Sequence, residues 1–579
     1  KTQLDFAKGK NSGASGVNTD TPESKTPDTS NETPGTTKPA GAPAKEQQGK
    51  KISVAAAIGV GVAVNQSRAT IGEDLNINAG TGALKLHAGS DTNYSTKSTG
   101  EAVSDENGIA VAVSVTVANN KTEAILGKGT TVSQAGDVGL SAESHQNRGT
   151  GFVDAMSAEA VSGASGGEVA VAGGLALVVN ENKTLASIDE GATLGSAGNE
   201  VGHVSVTASD TSKISAQARA GALSKGGESK TGVGASFAVL VSLNENHAVV
   251  GRDADDSDTF DATALNAESL TVKATRNRVA DPAAKNIEDV KELDFDTDFT
   301  DEKLSDYLSA NNYYTEAIAG AASQGDTAVA GAFSVNVFTN KSIAELGEAV
   351  AVTTTGSTGP QSLGVDVSSS SDMRSMTIAG AAAGAKQTGV GISNADTVNL
   401  DETRAAIGAD STVIADGASA GVKVQAESLQ EMTNVGVSAG ASTSGTAVAG
   451  VLGVVVALGN TEALIGDGAI VKAQGDVSVK ARNDVTGVMV SGGVAAASQT
   501  GVGASIAAHV LANATSATIG DAAVSSAQQL TVNAQAAEDV VSAVVAGSGA
   551  GTTGVAGALS VNVIVGDTTA LVNQGAQVN

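Results

Sequence analysis

From about Ile52 onward, apolar residues alternate with small or polar ones in short runs broken by Gly, Asn, Asp and Ser. A period of two interrupted by turn formers predicts strands and tight connections. Leu84-Lys85-Leu86-His87 and Val422-Lys423-Val424-Gln425 put aliphatics on one face and polar side chains on the other, so these strands are expected to be dry on one side and wet on the other. Residues 1–50 follow no such pattern. Five of the seven prolines, Pro22, Pro27, Pro34, Pro39 and Pro43, fall there among Thr, Ser, Asn, Lys and Glu, with almost nothing apolar after Phe6. A segment that buries so little apolar surface cannot offset the entropy of ordering, and 1–50 reads as a disordered linker.

Compared with itself, the stretch 51–579 is an array. An aliphatic anchor, usually followed by Gly, recurs at Ile71, Leu126, Ile188, Val250, Leu346, Ile407, Ile465, Ile519 and Val572, at spacings of 55, 62, 62, 96, 61, 58, 54 and 53 residues. Two residues before each anchor stands Ala: Ala69, Ala124, Ala186, Ala248, Ala344, Ala405, Ala463, Ala517 and Ala570. Four before it stands Ser or Thr, with Asn246 the exception. Six before it come Asn65, Asn120, Asn182, Asn244, Asn340 and Asn513, replaced by Asp401, Gly459 and Gly566 in the other units. Seventeen before it an aliphatic residue, from Val54 to Val555, is always followed by Ala or Gly. Ser/Thr, Ala and anchor, two apart, share one strand face, and a small residue is enforced there by something packed closely above. The Asn, Asp or Gly position tolerates left-handed backbone angles and is expected to mark a corner.

A second strand follows in each complete unit, carried by Leu84 and Leu86, Val138 and Leu140, Val204 and Val206, and their equivalents through Leu530 and Val532. A third strand of small residues then leads into a Gly-rich turn such as Gly551-Thr552-Thr553-Gly554, with insertions expected near these turns and between the first two strands. Units with one inward face cannot bury it alone and must stack. The fold expected is therefore all-β, a parallel β-solenoid (β-helix) of about nine stacked repeats of 53–62 residues. Each repeat is either one wide coil or three coils of about 18–20 residues; at ~4.8 Å per coil these give shafts of roughly 43 and 130 Å. An Ala in every unit favours the wide coil, because another Ala directly above explains it.

Composition narrows the function classes. Twelve aromatics, no Trp and 71 Gly leave a core that must be thin and repetitive. With 62 acids against 34 bases the net charge is -28, which repels nucleic acid and anionic lipid. The absence of Cys removes disulfides, zinc thiolates and thiol nucleophiles, and hints at export. The longest apolar run, Ala447 to Gly459, is short of the roughly 18–20 residues of a spanning helix, and so few aromatics cannot girdle a membrane barrel. The polar stretch Lys1 to Lys50 is no secretory signal, so the chain is expected to be an internal piece of a longer, soluble protein.

One unit breaks the rhythm. Its acidic insertion, residues 281–314, has ten acids and three lysines between Asp281 and Asn312, and apolar residues at Ile287, Val290, Leu293, Leu304, Tyr307 and Leu308 that suit two short helical turns. With its edge it gathers Phe295, Phe299, Tyr307, Tyr313 and Tyr314, five of the twelve aromatics, and marks where the surface departs from the shaft. Asp294, Asp296 and Asp298 match the opening of an EF-hand loop, although the turn Gly is missing and Ser305 stands where the closing acid belongs. They are the metal candidate, for Ca²⁺, and no other cofactor is expected. Asp253, Asp255, Asp256 and Asp258 form a second acidic group; a solvated loop is the plainer account of both. His87, His145, His203, His247 and His509 are dispersed one to a unit, away from metal-ligand spacing. Gly232-Val233-Gly234 and Gly501-Val502-Gly503 are repeat turns lacking the Lys-Ser/Thr of a phosphate loop, and Gly251-Arg252-Asp253 is not Arg-Gly-Asp. The outward strand positions carry scattered Lys, Thr, Ser and Gln rather than the acid pair and aromatic platforms of a β-helical polysaccharide lyase or hydrolase, so no enzyme is expected.

The stretch Ser334-Val335-Asn336-Val337-Phe338-Thr339-Asn340-Lys341-Ser342-Ile343-Ala344-Glu345-Leu346-Gly347, with Asn513-Ala514-Thr515-Ser516-Ala517-Thr518-Ile519-Gly520, resembles the haemagglutinin-like and leukotoxin-like repeats of large bacterial filamentous adhesins. Those proteins are exported by autotransporter or two-partner secretion. The resemblance covers roughly 52–579 and implies an extracellular or cell-surface passenger, with binding tips and translocator outside this chain. The function it implies is a structural and adhesive stalk that meets host cells, matrix or neighbouring bacteria. A segment of a secreted cytotoxin is the alternative that the same resemblance allows. Self-association is expected where solenoid ends expose strand edges.

Overall fold

The computed structural model describes residues 51–146, 156–225, 230–252, 261–278, 311–356 and 362–579, and the linker predicted over 1–50 lies outside them. Alternation of period two is realised in nine long strands of 20 to 22 residues: Ile52–Ile71, Asn107–Leu126, Val169–Asp189, Thr231–Arg252, Thr327–Leu346, Thr388–Ile407, Thr446–Ile465, Thr500–Ile519 and Thr553–Val572. They lie side by side in chain order in one parallel sheet. Anchor pairs with anchor at every step, from Ile71 opposite Leu126 to Ile519 opposite Val572, and the Ala column stacks with it. Each repeat is therefore one wide coil, and coil 1 to coil 9 are named here after their long strands.

After its long strand, a coil crosses a short strand, such as Thr412–Ala415, and runs back along a return strand. In coils 5 to 8 the predicted second and third strands are one: Leu363–Ala385, Gly421–Ser442, Val477–Ala497 and Leu530–Ala550. In coils 1 to 4 they are split, as Thr263–Asn277 and Tyr313–Ser323 are in coil 4. The acidic insertion falls in sequence at that split, between second and third strands rather than between the first two, and the strands ending at Gln146 and starting at Met156 are split at the same level of coil 2. Because Tyr313 and Tyr314 open a shaft strand and are fully buried, they belong to the core and not to an insertion surface.

Long and return strands face one another across a tapering section. At the wide end the short strand separates them, and the anchors share one buried cluster with branched aliphatics, Leu126 with Val132, Val138 and Leu140 among them. At the narrow end small residues, chiefly Ala with Gly and Ser, lie between the sheets, as at Ala110, Ala164 and Ala172. There a Cβ on Gly391 would lie 2.3 Å from the Ala439 carbonyl oxygen, and one on Gly503 2.1 Å from that of Gly547. This close approach is why the residue after the aliphatic 17 positions before the anchor is always Ala or Gly: it points inward where the sheets nearly touch.

Two sequence expectations change. The Asn column is no corner, because it sits mid-strand and faces inward, with Asn120, Asn182, Asn244 and Asn340 buried. The left-handed corner comes three residues after the anchor instead, at Asp74, Gly129, Gly191, Ala349, Asp410 and Gly468. The aliphatic column 17 before the anchor points outward, away from the core. A second outward column, nine before the anchor, is Val in every coil: Val62, Val117, Val179, Val241, Val337, Val398, Val456, Val510 and Val563. Stacked β-branched side chains stabilise such a ladder from the solvent side.

Candidate functional site

Asp294, Asp296 and Asp298, like Asp253, Asp255, Asp256 and Asp258, lie outside the described residues. What the structure defines is the root from which 279–310 depart, between the two return pieces of coil 4. Asn312 holds it shut: its amide donates to the carbonyls of Ser212 at 3.0 Å and Asn277 at 3.4 Å, and its oxygen accepts from the Arg374 N–H at 3.1 Å. On the outside Arg278 reaches Asp372 and Glu431, each at 3.3 Å, while Arg374 also pairs with Glu431. Burial pushes the Asp372 carboxyl up, against the pull of Arg278. One residue beyond Tyr313, the Tyr314 hydroxyl donates to Glu316 at 2.5 Å; burial and that carboxylate push the hydroxyl well above its ordinary value.

Beneath the root a polar spine runs through the core. Arg276 lies 3.7 Å from Asp210, both nearly inaccessible, and donates to the Tyr313 hydroxyl. Asn182 at 2.6 Å and Ser212 at 3.0 Å donate to the same carboxylate. The Asn244 amide is oriented with its oxygen toward Tyr313 at 3.0 Å and Arg276 at 3.2 Å. The Tyr313 ring stacks on Phe338 at 4.3 Å, and the Arg276 guanidinium sits 5.5 Å from its centroid. Burial pushes the Asp210 carboxyl up, with Arg276 the leading opposing influence.

Two coils further on, Asn399 donates to Gln430 at 2.6 Å, and Asp401 takes the column position. Its carboxylate accepts from Ser428 at 2.8 Å, Ser371 at 3.0 Å and Thr403 at 3.1 Å. Burial outweighs these three hydroxyls and pushes its proton affinity up. The folded chain then binds that proton more tightly than the unfolded chain. The contribution to stability is present at acid pH and is lost as pH rises through the folded value. Asp401→Asn is expected to raise stability at pH 7 by on the order of 1 kcal/mol and to flatten the acid side of the stability profile. Urea midpoints between pH 3 and 8 check this, and a lower midpoint for the variant at pH 7 would sink it.

The chain matches no model of a known protein family, no curated protein and no solved structure. The chemistry therefore rests on the geometry alone. Among the described residues no three His, Asp or Glu side chains converge as a metal site, and no helix is long and apolar enough to cross a membrane. Arg252, of the Gly-Arg-Asp triplet, is engaged by Asp189 through two bonds of 2.9 and 3.0 Å. Outward charges are paired from coil to coil, as in Lys97 with Glu159, Lys423 with Asp366 and Arg404 with both Glu345 and Glu462. His509 faces inward, hydrogen-bonded to Asn562 at 3.1 Å, and burial lowers its proton affinity. No local motif marks the Arg276–Asp210–Tyr313 cluster; its signal in the sequence is the Asn column itself, which marks an inward polar position rather than a bend.

Proposed function

We propose that the chain is a structural and adhesive stalk of a large bacterial surface or secreted protein, holding binding regions away from the cell. The observation that carries this reading is the pairing of nine long strands in chain order with anchor opposite anchor throughout, which makes the repeat array a single continuous shaft. The resemblance of the repeats to filamentous adhesins supports the same reading. In sequence, residues 279–310 fall between the two return pieces of the fourth of nine coils, whose flanking ends are held in the core by Asn312 and Tyr313. In this reading the partner is a host cell surface, matrix or a neighbouring bacterium.

The test is binding of the 579-residue chain to host cells and to immobilised matrix proteins, with and without residues 281–310. Asn311 and Asn312 must stay, because both are buried and Asn312 bonds across three strands. Binding by the full chain and its loss in the deletion variant, with the melting temperature retained, is the expected result. Equal binding by both would remove the insertion from the adhesive role, and no binding by either would remove adhesion from this segment.

A further inference from the structure

We propose that the outer face of the nine-stranded sheet is a docking surface for a second copy of this chain, packed sheet to sheet. This goes beyond the stalk reading and does not depend on it. Five outward columns, at 17, 15, 13, 11 and 9 residues before each anchor, cover that face across all nine coils. Every position in them is Ala, Gly, Val, Ile, Leu or Phe except Asn394 and Asp396 of coil 6. The inward positions of the same strands carry mostly Ala and Gly with Ser, Thr and Asn among them, so most of the large apolar side chains of these strands stand on the outer face. Selection for a core cannot account for large apolar residues on the solvent side.

At about 3.3 Å per residue and 4.8 Å per strand, the five columns span roughly 30 Å by 40 Å, or about 1,200 Å². The largest apolar patch of an ordinary monomer is ~300–600 Å², and a stable interface needs ~800 Å² from each partner. The patch therefore suffices for a dimer. At its centre Phe237 and Phe333, on coils 4 and 5, stack at 5.0 Å with an interplanar angle of 5°, and Phe237 is still 42% exposed. Rigid exposed aromatics at the middle of a patch are what anchor an interface. Toward the anchors the face turns charged and self-neutralised, through Lys121 with Glu123, Lys183 with Glu181 and Glu245, and Lys341 with Glu402. An apolar centre with a paired polar rim is interface anatomy.

Other occupants fit less well. Residues 1–50 are polar after Phe6 and cannot cover an apolar patch, and residues 279–310 leave and rejoin the shaft on the return strands, in the other sheet. The net charge of -28 opposes anionic lipid. A second copy offers the same flat apolar sheet, and a two-fold axis through the face lets each patch cover the other at the ~10 Å spacing of packed sheets. This contact is lateral and leaves strand edges at the solenoid ends uninvolved.

Sedimentation equilibrium of the 579-residue chain is the test. A dimer with a dissociation constant below about 1 µM is expected. Phe237→Asp with Phe333→Asp places charges on the face without entering the core, and is expected to weaken association at least about 100-fold, or roughly 2.7 kcal/mol, with circular dichroism and melting unchanged. Because the chain has no Cys, a nitroxide on Val337→Cys reports the face directly. Its motion is expected to become restricted as the dimer forms, whereas a label on Gln425→Cys, outward on a return strand, stays mobile. A wild-type chain that remains monomeric, a dimer that survives the double substitution with the Val337→Cys label still mobile, or a monomer that binds phosphatidylcholine vesicles through this face would each overturn the proposal.

Discussion

Replacing Arg276 by Met is expected to lower stability by about 3–5 kcal/mol, because it strands a buried carboxylate. Arg276 and Asp210 are 2% and 1% exposed, and the guanidinium lies 3.7 Å from that acid, the leading positive influence on it. Asn182 and Ser212 continue to donate, yet neutral donors do not replace a counter-charge in a medium of low dielectric. Loss of Arg276 also removes one donor to the Tyr313 hydroxyl and one to the Asn244 oxygen. Repeats contact only their neighbours, so the damage should concentrate in coils 3 to 5, where hydrogen exchange reads it. Asp210→Asn added to Arg276→Met should recover much of the loss. Without Arg276 the Asp210 carboxyl rises further above its ordinary value, so the single variant should regain stability relative to the wild type as pH falls. A variant that unfolds at the wild-type urea concentration would show that the pair contributes little.

Gly391→Val is expected to cost on the order of 3 kcal/mol or to prevent local folding of coil 6. A Cβ there lies 2.3 Å from the Ala439 oxygen and 3.2 Å from that of Ala381. Both contacts are backbone atoms held by ladders above and below, so neither can swing aside. Gly450→Val is the matched control on the same sheet. It points outward with nothing within 4 Å of the added carbon, and is expected to be neutral or slightly stabilising through strand propensity. Thermal melts of the two variants distinguish steric exclusion at the narrow end from a general intolerance of larger side chains; equal losses at both sites would defeat the tapering-section account.

Much of the architecture was legible because stacking repeats a constraint. Ala two before the anchor and the aliphatics of the return strand each meet their own kind above and below, so nine copies of one environment are written nine times in the chain. What did not come through is the direction in which a constant residue points. A column of Asn suits both a left-handed corner and a buried carboxamide ladder, and only the uninterrupted strand through Asn120 or Asn340 separates them. An all-Val column looks like core in a linear reading, although here it is solvent-side. Tyr313 and Tyr314 sat beside an acidic insertion in sequence, but the strand that starts at Tyr313 draws both inside. The Arg276–Asp210 pair joins coils 3 and 4 across 66 residues, a separation that no local pattern encodes.

The orientation of the strands has a mechanical consequence. They lie across the long axis of the shaft, so a pull along that axis is borne by the hydrogen-bond ladders between coils and not by the covalent backbone. Such a load peels boundaries in succession rather than shearing a whole sheet at once. Each freed coil of about 55 residues releases roughly 190 Å of chain at ~3.4 Å per residue, several times the ~43 Å stack of nine. The unit with the 96-residue spacing releases more than any other. Under tension the molecule is a stepwise extensible tether that dissipates force coil by coil while its remaining coils keep their shape.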